Sequence, residues 1–389
     1  MPVEKITGVI KDYAWGSPGG IDAVRGLPSS GAVQAEWWLG DHPAGPATIA
    51  HTGTSITRWL ESTRGVVPGV EPESTPRYSL GFLLKVLTPA TPLSLQVHPT
   101  AAQAEKGFDA EERAGVPLDA PHRVYKDRFP KPEVVICVDG VFDALAGNAP
   151  DEVVVERIDR LIAGGVDESL GKRWRTLVLT NRQEAVSWLL GGDDHALALV
   201  EALGGAVSAD PLLSLLWSHY PGDPGCAVGL MLNRISLTPG QALFLEAGQP
   251  HAYLSGVAVE LMAPSDNVLR GGLTPKHIDV SQLLAIASFD PSTPPLLEPV
   301  VHSESWREYR PGSHPFSLHR LEVPAGANRV SLTLSLPAVC LSIDEGAVVA
   351  LDGAVTELAA GEACVVADAS GTGVVEVLPG SALWIAHKR

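Results

Sequence analysis

The sequence predicts a mainly β protein in which two barrels or jelly rolls are combined with a helical insertion. Its 39 glycines and 32 prolines in 389 residues supply the turns that an all-β architecture needs. The residue pattern typical of strands ends near residue 149 and is followed by apolar residues at helical spacing. The strand pattern returns after the segment YPGDPG. We therefore expect a discontinuous barrel domain at residues 1–148 and 221–300, a helical insertion at 149–220 and a second barrel-like β domain at 301–389.

The first hundred residues are predicted to form short strands separated by turns, as in GVIKDYAWGSPGG and AEWWLGDHPAGPATIA. One predicted strand, LSLQVHPT, covers residues 93–100 and alternates between two faces. Its apolar residues suit the core, whereas Ser94, Gln96 and His98 share the opposite face. Buried polar groups without partners cost about 1–3 kcal/mol each, so this face predicts partners for an amide and an imidazole.

The middle of the chain is predicted to change from strands to helices. A helix is expected from a Thr100 cap to Gly115, followed by a strand in KPEVVICVDG at residues 131–140. Pro150 fits the first turn of the next helix, and Gly164 ends its apolar periodicity. Similar patterns follow in RQEAVSWLLGG, DHALALVEALGG and PLLSLLWSHY, after which strands resume.

The charge and the cysteines exclude several classes of protein. A formal charge of −17 argues against a nucleic-acid binder or a basic membrane-surface protein. The four cysteines lie far apart, so neither a thiolate zinc site nor a redox motif is predicted. No apolar run approaches the ~18 residues of a membrane span, and no secretory leader is evident. We expect a cytoplasmic protein without a nucleic-acid or membrane partner.

Four residues could converge on one metal ion: Gln96, His98, Glu133 and His251. Gln96 and His98 start roughly 6–7 Å apart on one strand face, Glu133 opens a strand, and His251 lies at the mouth of another. Nitrogen and oxygen donors without a thiolate favour Zn²⁺, with iron and manganese as alternatives. Each residue alone is more often structural, because imidazoles and amides have many other uses and Glu133 could simply pair with Lys131.

Basic residues are few but cluster near these candidates. Only 28 lysines and arginines are present, yet Lys85, Lys131, Arg270 and Lys276 lie beside the candidate ligands or in SDNVLRGGLTPKHID. Turn-forming residues make this last segment a structured loop. Arginine and lysine together suit a phosphate or a developing oxyanion, although exposed charges on a solvated loop would give the same pattern.

Seven motifs make the chain similar to the type I phosphomannose isomerases, zinc enzymes of the cupin superfamily. They are, in order, YAWGS, AEWWLGDHPAGPATI, LLKVLTPATPLSLQVHP, KPEVV, YPGDPG, PGQALFLEAGQPHAYLSG and VELMAPSDNVLRGGLTPKHIDV. The resemblance implies two cupin-type jelly-roll domains, one Zn²⁺ per chain, and interconversion of D-mannose 6-phosphate and D-fructose 6-phosphate through an enediolate. It also implies a cytoplasmic enzyme of mannose metabolism and GDP-mannose biosynthesis, which we expect to be a monomer.

The same resemblance implies roles for individual residues. The metal ligands would be Gln96, His98, Glu133 and His251. Catalytic positions would be Arg270, Lys131 and Lys85, together with the acidic residues Glu260 and Asp266, which are suited to proton transfer. Ser94 and Lys276 would contact the substrate or its phosphate.

The chain departs from the family pattern at a few positions. Phe129 and Pro130 stand where the family commonly has Asn-His before Lys-Pro-Glu, so a hydrogen bond or proton relay through that histidine is absent. Trp37 replaces a usual leucine and Pro264 a usual small residue, which we interpret as repacking. The set of metal ligands is intact.

Three alternative functions stay open from the sequence. His98, Glu133 and His251 could form the two-histidine, one-carboxylate triad of an iron dioxygenase, although Gln96 and the phosphate-suited cations argue against it. The chain could also be a non-catalytic, sugar-binding or regulatory member of the cupin superfamily. A related isomerase that acts on a different sugar phosphate is the third alternative.

Overall fold

The computed structural model describes residues 3–63, 80–312, 314–343, 346–351, 354–368 and 370–389. Within these residues strands clearly outnumber helices, which confirms the predicted mainly β fold. In the described part of the chain we find no helix whose length and apolar content would let it span a membrane.

The strands and helices have the following bounds. The strands are β1 (Val3–Thr7), β2 (Val9–Lys11), β3 (Ser17–Pro18), β4 (Val33–Gln34), β5 (Glu36–Leu39), β6 (Thr48–Ile49), β7 (Leu83–Leu87), β8 (Gln96–Val97), β9 (Glu133–Asn148), β10 (Leu232–Leu237), β11 (Ala242–Leu245), β12 (His251–Met262), β13 (Leu269–Arg270), β14 (Val300–Ser303), β15 (Trp306–Tyr309), β16 (Phe316–Val323), β17 (Val330–Ser335), β18 (Ala338–Leu341), β19 (Ala347–Leu351), β20 (Ala354–Leu358), β21 (Ala363–Val366), β22 (Thr372–Val377) and β23 (Ser381–Lys388). The helices are α1 (Gly20–Val24), α2 (Ile56–Thr63), α3 (Ala101–Arg113), α4 (Asp151–Ala163), α5 (Glu168–Thr180), α6 (Arg182–Leu190), α7 (Asp194–Gly205), α8 (Pro211–His219), α9 (Gly225–Gly229) and α10 (Val280–Ile286), with a 3₁₀ turn at Val207–Ala209.

Antiparallel sheets organise the chain. A nine-stranded sheet has the order β10-β9-β12-β7-β5-β2, with β11 beside β9 and β8 between β12 and β13. An eight-stranded sheet has the order β14-β15-β16-β23-β18-β21-β1-β6, and β17-β22-β19-β20 form a four-stranded sheet. In the eight-stranded sheet the N-terminal strand β1 pairs with β21, so N-terminal residues complete a sheet of mostly C-terminal strands. The three-part domain division stays a prediction.

Apolar side chains connect these sheets and the helices. One buried cluster, which includes Trp37, Phe82 and Trp384, joins the nine-stranded and eight-stranded sheets. Another includes Trp174 of α5 and Leu254 of β12, and it attaches the helices to the nine-stranded sheet. Full burial of a large apolar side chain contributes about 1.5–3 kcal/mol, so these clusters hold the elements around the polar site in place.

Several predicted local elements are confirmed. Helix α3 begins after Thr100, and the side chains of Thr100 and Gln103 form a reciprocal capping box. Helix α4 follows Pro150 and ends before Gly164. The predicted strand at KPEVVICVDG is present as the first part of the longer strand β9.

The predicted strand at residues 93–100 is shorter than expected. Only Gln96–Val97 form ladder pairs, because β8 is opposed by β12 at one position and by β13 at two. The predicted alternation of burial still holds for the apolar residues, since Leu95 and Val97 are buried and Leu93 nearly so. On the polar face His98 is fully buried, whereas Gln96 is half-buried.

A chain of neutral imidazoles is buried in the eight-stranded sheet. Trp306 Nε1 donates to His319 Nδ1 at 3.0 Å, His319 Nε2 lies 2.9 Å from His387 Nε2, and His387 Nδ1 lies 2.8 Å from the carbonyl oxygen of Lys388. Because an indole can only donate and a carbonyl can only accept, each imidazole carries one proton and His319 donates to His387. Burial, followed by the neighbouring His387, lowers the pKa of His319 to about 3.

This imidazole chain predicts a loss of stability in acid. An unfolded histidine takes up a proton below about pH 6.5, whereas folded His319 resists protonation until about pH 3. Stability is therefore lost as the pH falls through this window. His319→Gln should destabilise the protein near neutral pH, but its deficit relative to wild type should shrink by about 1–2 kcal/mol between about pH 7 and about pH 5. Urea unfolding at both pH values measures this, and a constant deficit would contradict the prediction.

Candidate metal centre

Three buried side chains meet beside strands β8, β9 and β12: His98, Glu133 and His251. One ligand atom from each lies within 4.8 Å of the other two. His98 Nε2 is 3.4 Å and His251 Nε2 is 3.5 Å from the same oxygen, Oε2 of Glu133. No other group of His, Cys, Asp or Glu side chains in the described ranges has such spacing. The structure thus brings together three of the four predicted ligands.

Gln96, the fourth predicted ligand, shares a face with this group. In β8 it is directly opposite His251 of β12 and, on its other side, opposite Arg270 of β13. Directly opposed residues of antiparallel strands project to the same face of a sheet. Gln96 also lines the same cavity, of about 60 Å³, as Glu133 and His251.

Backbone carbonyls orient both imidazoles. His98 Nδ1 lies 2.7 Å from the carbonyl oxygen of Asn267, and His251 Nδ1 lies 3.0 Å from that of Gln249. A carbonyl can only accept, so each Nδ1 carries the proton and each Nε2 directs a lone pair toward Glu133. Burial lowers the pKa of His98 to about 4, which keeps its imidazole neutral. Neutral imidazoles held in this way are typical metal ligands.

The residues present fit a divalent metal ion. His98 Nε2 is buried and has no hydrogen-bond partner among the described residues, an arrangement that costs free energy unless another group occupies that position. Gln96 likewise has no side-chain hydrogen bond to any residue that the structure describes. Two imidazole nitrogens, a carboxylate and an amide oxygen form a donor set without sulfur that suits Zn²⁺.

Most of the residues that line this cavity are polar or charged. Its polar lining consists of Glu36, Lys85, Gln96, Lys131, Glu133, His251, Tyr253 and Glu260. Lys131 Nζ lies 2.8 Å from Oε1 of Glu133, the oxygen that does not face the imidazoles. Burial alone would raise the pKa of Glu133, but the charge of Lys131 holds it well below its usual value. Glu133 is therefore ionised and available to a cation.

A second charged group lies across the cavity. Lys85 Nζ lies 3.1 Å from Oε2 of Glu260 and 3.4 Å from Oε2 of Glu36. The hydroxyl of Tyr253 donates to the other oxygen of Glu260 at 2.9 Å. Burial would lower the pKa of Lys85, but the two carboxylates raise it above its usual value. Burial raises the pKa of Glu260, although the charge of Lys85 acts in the opposite direction.

Arg270 and Lys276 flank the cavity and do not line it. The side chain of Arg270 is half-buried and lines a neighbouring cavity of about 20 Å³, while Lys276 is exposed. Neither side chain has a hydrogen bond or an ion pair with a residue in the described part of the chain. Burial lowers the pKa of Arg270, and burial together with the charge of Arg270 lowers that of Lys276. Two nearby cations without carboxylate partners among the described residues are chemically suited to an anion.

Ser94 and Asp266 are also outside the lining of the cavity. Ser94 is half-buried, two residues before Gln96 on the extended segment. The side chain of Asp266 is 53% exposed, and its Oδ2 lies 3.3 Å from Nε2 of the buried His42. Their predicted roles, like those of the other site residues, stay predictions.

Two glycine-containing motifs hold the segment of Arg270 in place. A Cβ on Gly272 would lie only 2.3 Å from Cα of Gly225, so the loop after β13 can pack against α9 only with glycines at both positions. Asp223 accepts hydrogen bonds from the backbone N–H groups of Gly225 and Thr274 at 2.7 and 2.9 Å. The motifs YPGDPG and LRGGLTP are therefore in direct contact.

Sequence reasoning missed two residues that line the cavity, Glu36 and Tyr253. Tyr253 lies two residues after His251, so the period of a strand placed both on one face. Glu36 lies between Ala35 and Trp37 in a buried strand, and its carboxylate accepts a hydrogen bond from Trp38 Nε1 as well as pairing with Lys85. A charged residue in an otherwise apolar strand was the signal that could have identified it.

Known proteins match this chain over most of its length. Residues 3–149 match the family model described as phosphomannose isomerase type I, catalytic domain. The mannose-6-phosphate isomerase of Escherichia coli strain K12 is 36% identical over 315 residues, which cover 77% of this chain and 78% of that protein. The human mannose-6-phosphate isomerase is 32% identical over 381 residues, covering 88% and 87%.

Solved structures are also similar. The crystal structure of the mannose 6-phosphate isomerase of Salmonella typhimurium, bound to its substrate fructose 6-phosphate and to zinc, superposes with a TM-score of 0.86. It is 29% identical, and the alignment covers 100% of both chains. The fold of this chain thus belongs to a group of proteins with a common architecture.

Proposed function

The chain belongs to the type I phosphomannose isomerase family, and from this membership we propose that it interconverts D-mannose 6-phosphate and D-fructose 6-phosphate. The observation that carries the proposal is the meeting of His98, Glu133 and His251 around one position. Arg270 and Lys276, which have no ion pair among the described residues, add positive charge near this site. Zn²⁺ is the cofactor that this donor set fits, as in the zinc-bound structural neighbours.

We propose that Gln96, His98, Glu133 and His251 hold one zinc ion. One carboxylate and three neutral ligands would leave a net charge near +1. When bound, Zn²⁺ supplies a Lewis acid for the negative charge that develops on the sugar oxygens. Lys131 holds Glu133 ionised before the metal arrives, which favours binding of a cation by this carboxylate.

The phosphate group is assigned to the two unpaired cations. Arg270 and Lys276 have no carboxylate partner among the described residues, in a protein whose formal charge is −17. An anionic substrate needs such a local excess of positive charge. Ser94, which precedes Gln96 on the same face, would contribute a hydroxyl donor. Arg270 lies directly opposite Gln96, so it could also stabilise charge at the reacting carbons.

Proton transfer through an enediolate needs a group that can lose and regain a proton at adjacent carbons. Glu260 suits this role because it lines the cavity and burial raises its pKa. Lys85 and Tyr253 hold both of its oxygens, which orients the carboxyl group. Asp266 and Lys131 are the other candidates, and Asp266 contacts His42 at the outer side of the site.

The finer architecture is part of the same proposal. The antiparallel strand orders of the two large sheets support cupin-type jelly rolls, with helices α4–α8 as an insertion. The four cysteines are buried and unpaired, which supports a reducing cytoplasm. We further propose that the enzyme acts as a monomer in mannose metabolism.

A coupled assay tests the function directly. Purified protein loaded with Zn²⁺ should convert mannose 6-phosphate into fructose 6-phosphate, and removal of zinc with a chelator should abolish turnover. Bound iron with oxygen uptake would favour a dioxygenase. Binding of the sugar phosphate without turnover would favour a regulatory protein, and turnover of only another sugar phosphate would change the assigned substrate.

A further inference from the structure

Asn267 connects its own segment to two others: one carries the proposed ligand His98, and the other leads to Lys131 and the proposed ligand Glu133. It is completely buried. Its Nδ2 donates to the carbonyl oxygens of Asp127 and Phe129, each at 2.9 Å. Its Oδ1 accepts from the backbone N–H of Lys126 at 2.7 Å. The side chain therefore fixes residues 126–129 from both the donor and the acceptor side.

The backbone of Asn267 contacts a metal ligand at the same time. Its carbonyl oxygen is the partner of His98 Nδ1 at 2.7 Å, the contact that directs His98 Nε2 toward Glu133. The segment that its side chain fixes leads within four residues from Phe129 to Glu133. One asparagine thus links the orientation of an imidazole ligand to the position of the carboxylate ligand.

Neighbouring contacts reinforce this crossing. Ser265 Oγ donates to Oδ1 of Asp127 at 2.9 Å, and the backbone N–H of Asp266 donates to Oδ2 of the same residue at 2.9 Å. Asn267 Nδ2 also lies 3.1 Å from Asp127 Oδ1. We call this group of Asp127, Ser265 and Asn267 the Asn267 cluster. Only an asparagine-sized side chain with both a donor and an acceptor completes it.

We propose that Asn267 is a positioning residue that assembles the metal site before the metal binds, by holding His98 and the segment of Lys131 and Glu133 in one frame. This inference rests on the proposed metal site. Residues behind metal ligands commonly change metal affinity by about 10- to 100-fold when they are replaced. Ligands that must be ordered during binding lower affinity, because the cost of ordering is then met by the binding step.

The test compares zinc affinity with stability. Asn267→Ala keeps the backbone carbonyl that contacts His98 but removes the side-chain hydrogen bonds to residues 126–129. The zinc dissociation constant, measured by competition with a chromophoric chelator, should rise by about 10- to 100-fold. At zinc concentrations above the new dissociation constant, much of the activity should return. Asp210→Ala is the matched control, because it removes a buried cap of α8 and an ion pair to Arg160, far along the chain from the ligands.

The inference is overturned if the Asn267→Ala protein loses stability as Asp210→Ala does but binds zinc as tightly as the wild-type protein. If Asn267→Ala does not fold, Ser265→Ala decides: a several-fold weaker zinc affinity supports the inference, and an unchanged affinity overturns it. Because zinc affinity is measured without substrate, a wild-type protein that fails to isomerise mannose 6-phosphate would refute the proposed function and leave this comparison intact.

Discussion

Arg270→Ala is expected to lower kcat by about 10²–10³-fold while zinc stays bound. The guanidinium is half-buried, has no ion pair with a described residue, and lies on the same face as Gln96 and His251. In the proposed catalytic role, Arg270 stabilises charge that develops only in the transition state, so its loss lowers kcat. Steady-state kinetics at saturating zinc, together with metal analysis of the same sample, measure both parts of the prediction.

Arg157→Ala is the matched control for this experiment. Arg157 is also a partly buried arginine, but it donates to the carbonyl oxygens of Leu230 and Leu232 and lies in helix α4. Its replacement should reduce stability without a comparable loss of kcat. Near-normal turnover of Arg270→Ala would remove Arg270 from the chemistry, and a higher KM with normal kcat would limit it to phosphate binding.

His98→Ala and His251→Ala are expected to lose zinc and activity together. Each replacement removes one oriented imidazole and leaves three proposed ligands: the other imidazole, the carboxylate and the amide. Because an amide oxygen is not among the usual ligands of zinc, we expect the weakened site to lose the ion on dialysis. The zinc content after dialysis and the rate of turnover in the coupled assay should fall in parallel. His319→Gln, which removes a buried imidazole from the eight-stranded sheet, should keep both zinc and turnover. A His98 or His251 variant with full metal content and full rate would exclude that residue as a ligand.

Local patterns in the sequence predicted the elements that depend on neighbouring residues. The Thr100 cap and the helix near Pro150 follow from residue preferences at a helix N-terminus, and the structure confirms both helices. The polar face of residues 93–100 also followed from the period of a strand, and it correctly placed His98 in a buried position.

Features that depend on distant parts of the chain could not be predicted in the same way. The short length of β8 results from its partners, β12 and β13, which oppose it at only one and two positions. The pairing of β1 with β21 joins residues about 360 positions apart, and no local pattern indicates it. Glu36 of β5 can be buried because its carboxylate pairs with Lys85 of the neighbouring strand β7.

The Asn267 cluster likewise could not be predicted from the sequence. Ser265, Asp266 and Asn267 are turn-forming residues, and their composition alone predicted a structured loop. Their hydrogen bonds to residues 126–129 are tertiary contacts between segments about 140 residues apart. These contacts do not depend on the side chains of Phe129 and Pro130, since Asn267 binds carbonyl and N–H groups of the loop.

The zinc K-edge X-ray absorption spectrum of the wild-type protein tests the central claim most directly. With one equivalent of zinc bound per chain, the nearest atoms should all be nitrogen or oxygen at about 2.0–2.2 Å, with the outer-shell signature of two imidazoles. That result would place an ion among Gln96, His98, Glu133 and His251. Sulfur atoms at about 2.3 Å, or no zinc bound at saturation, would contradict the account.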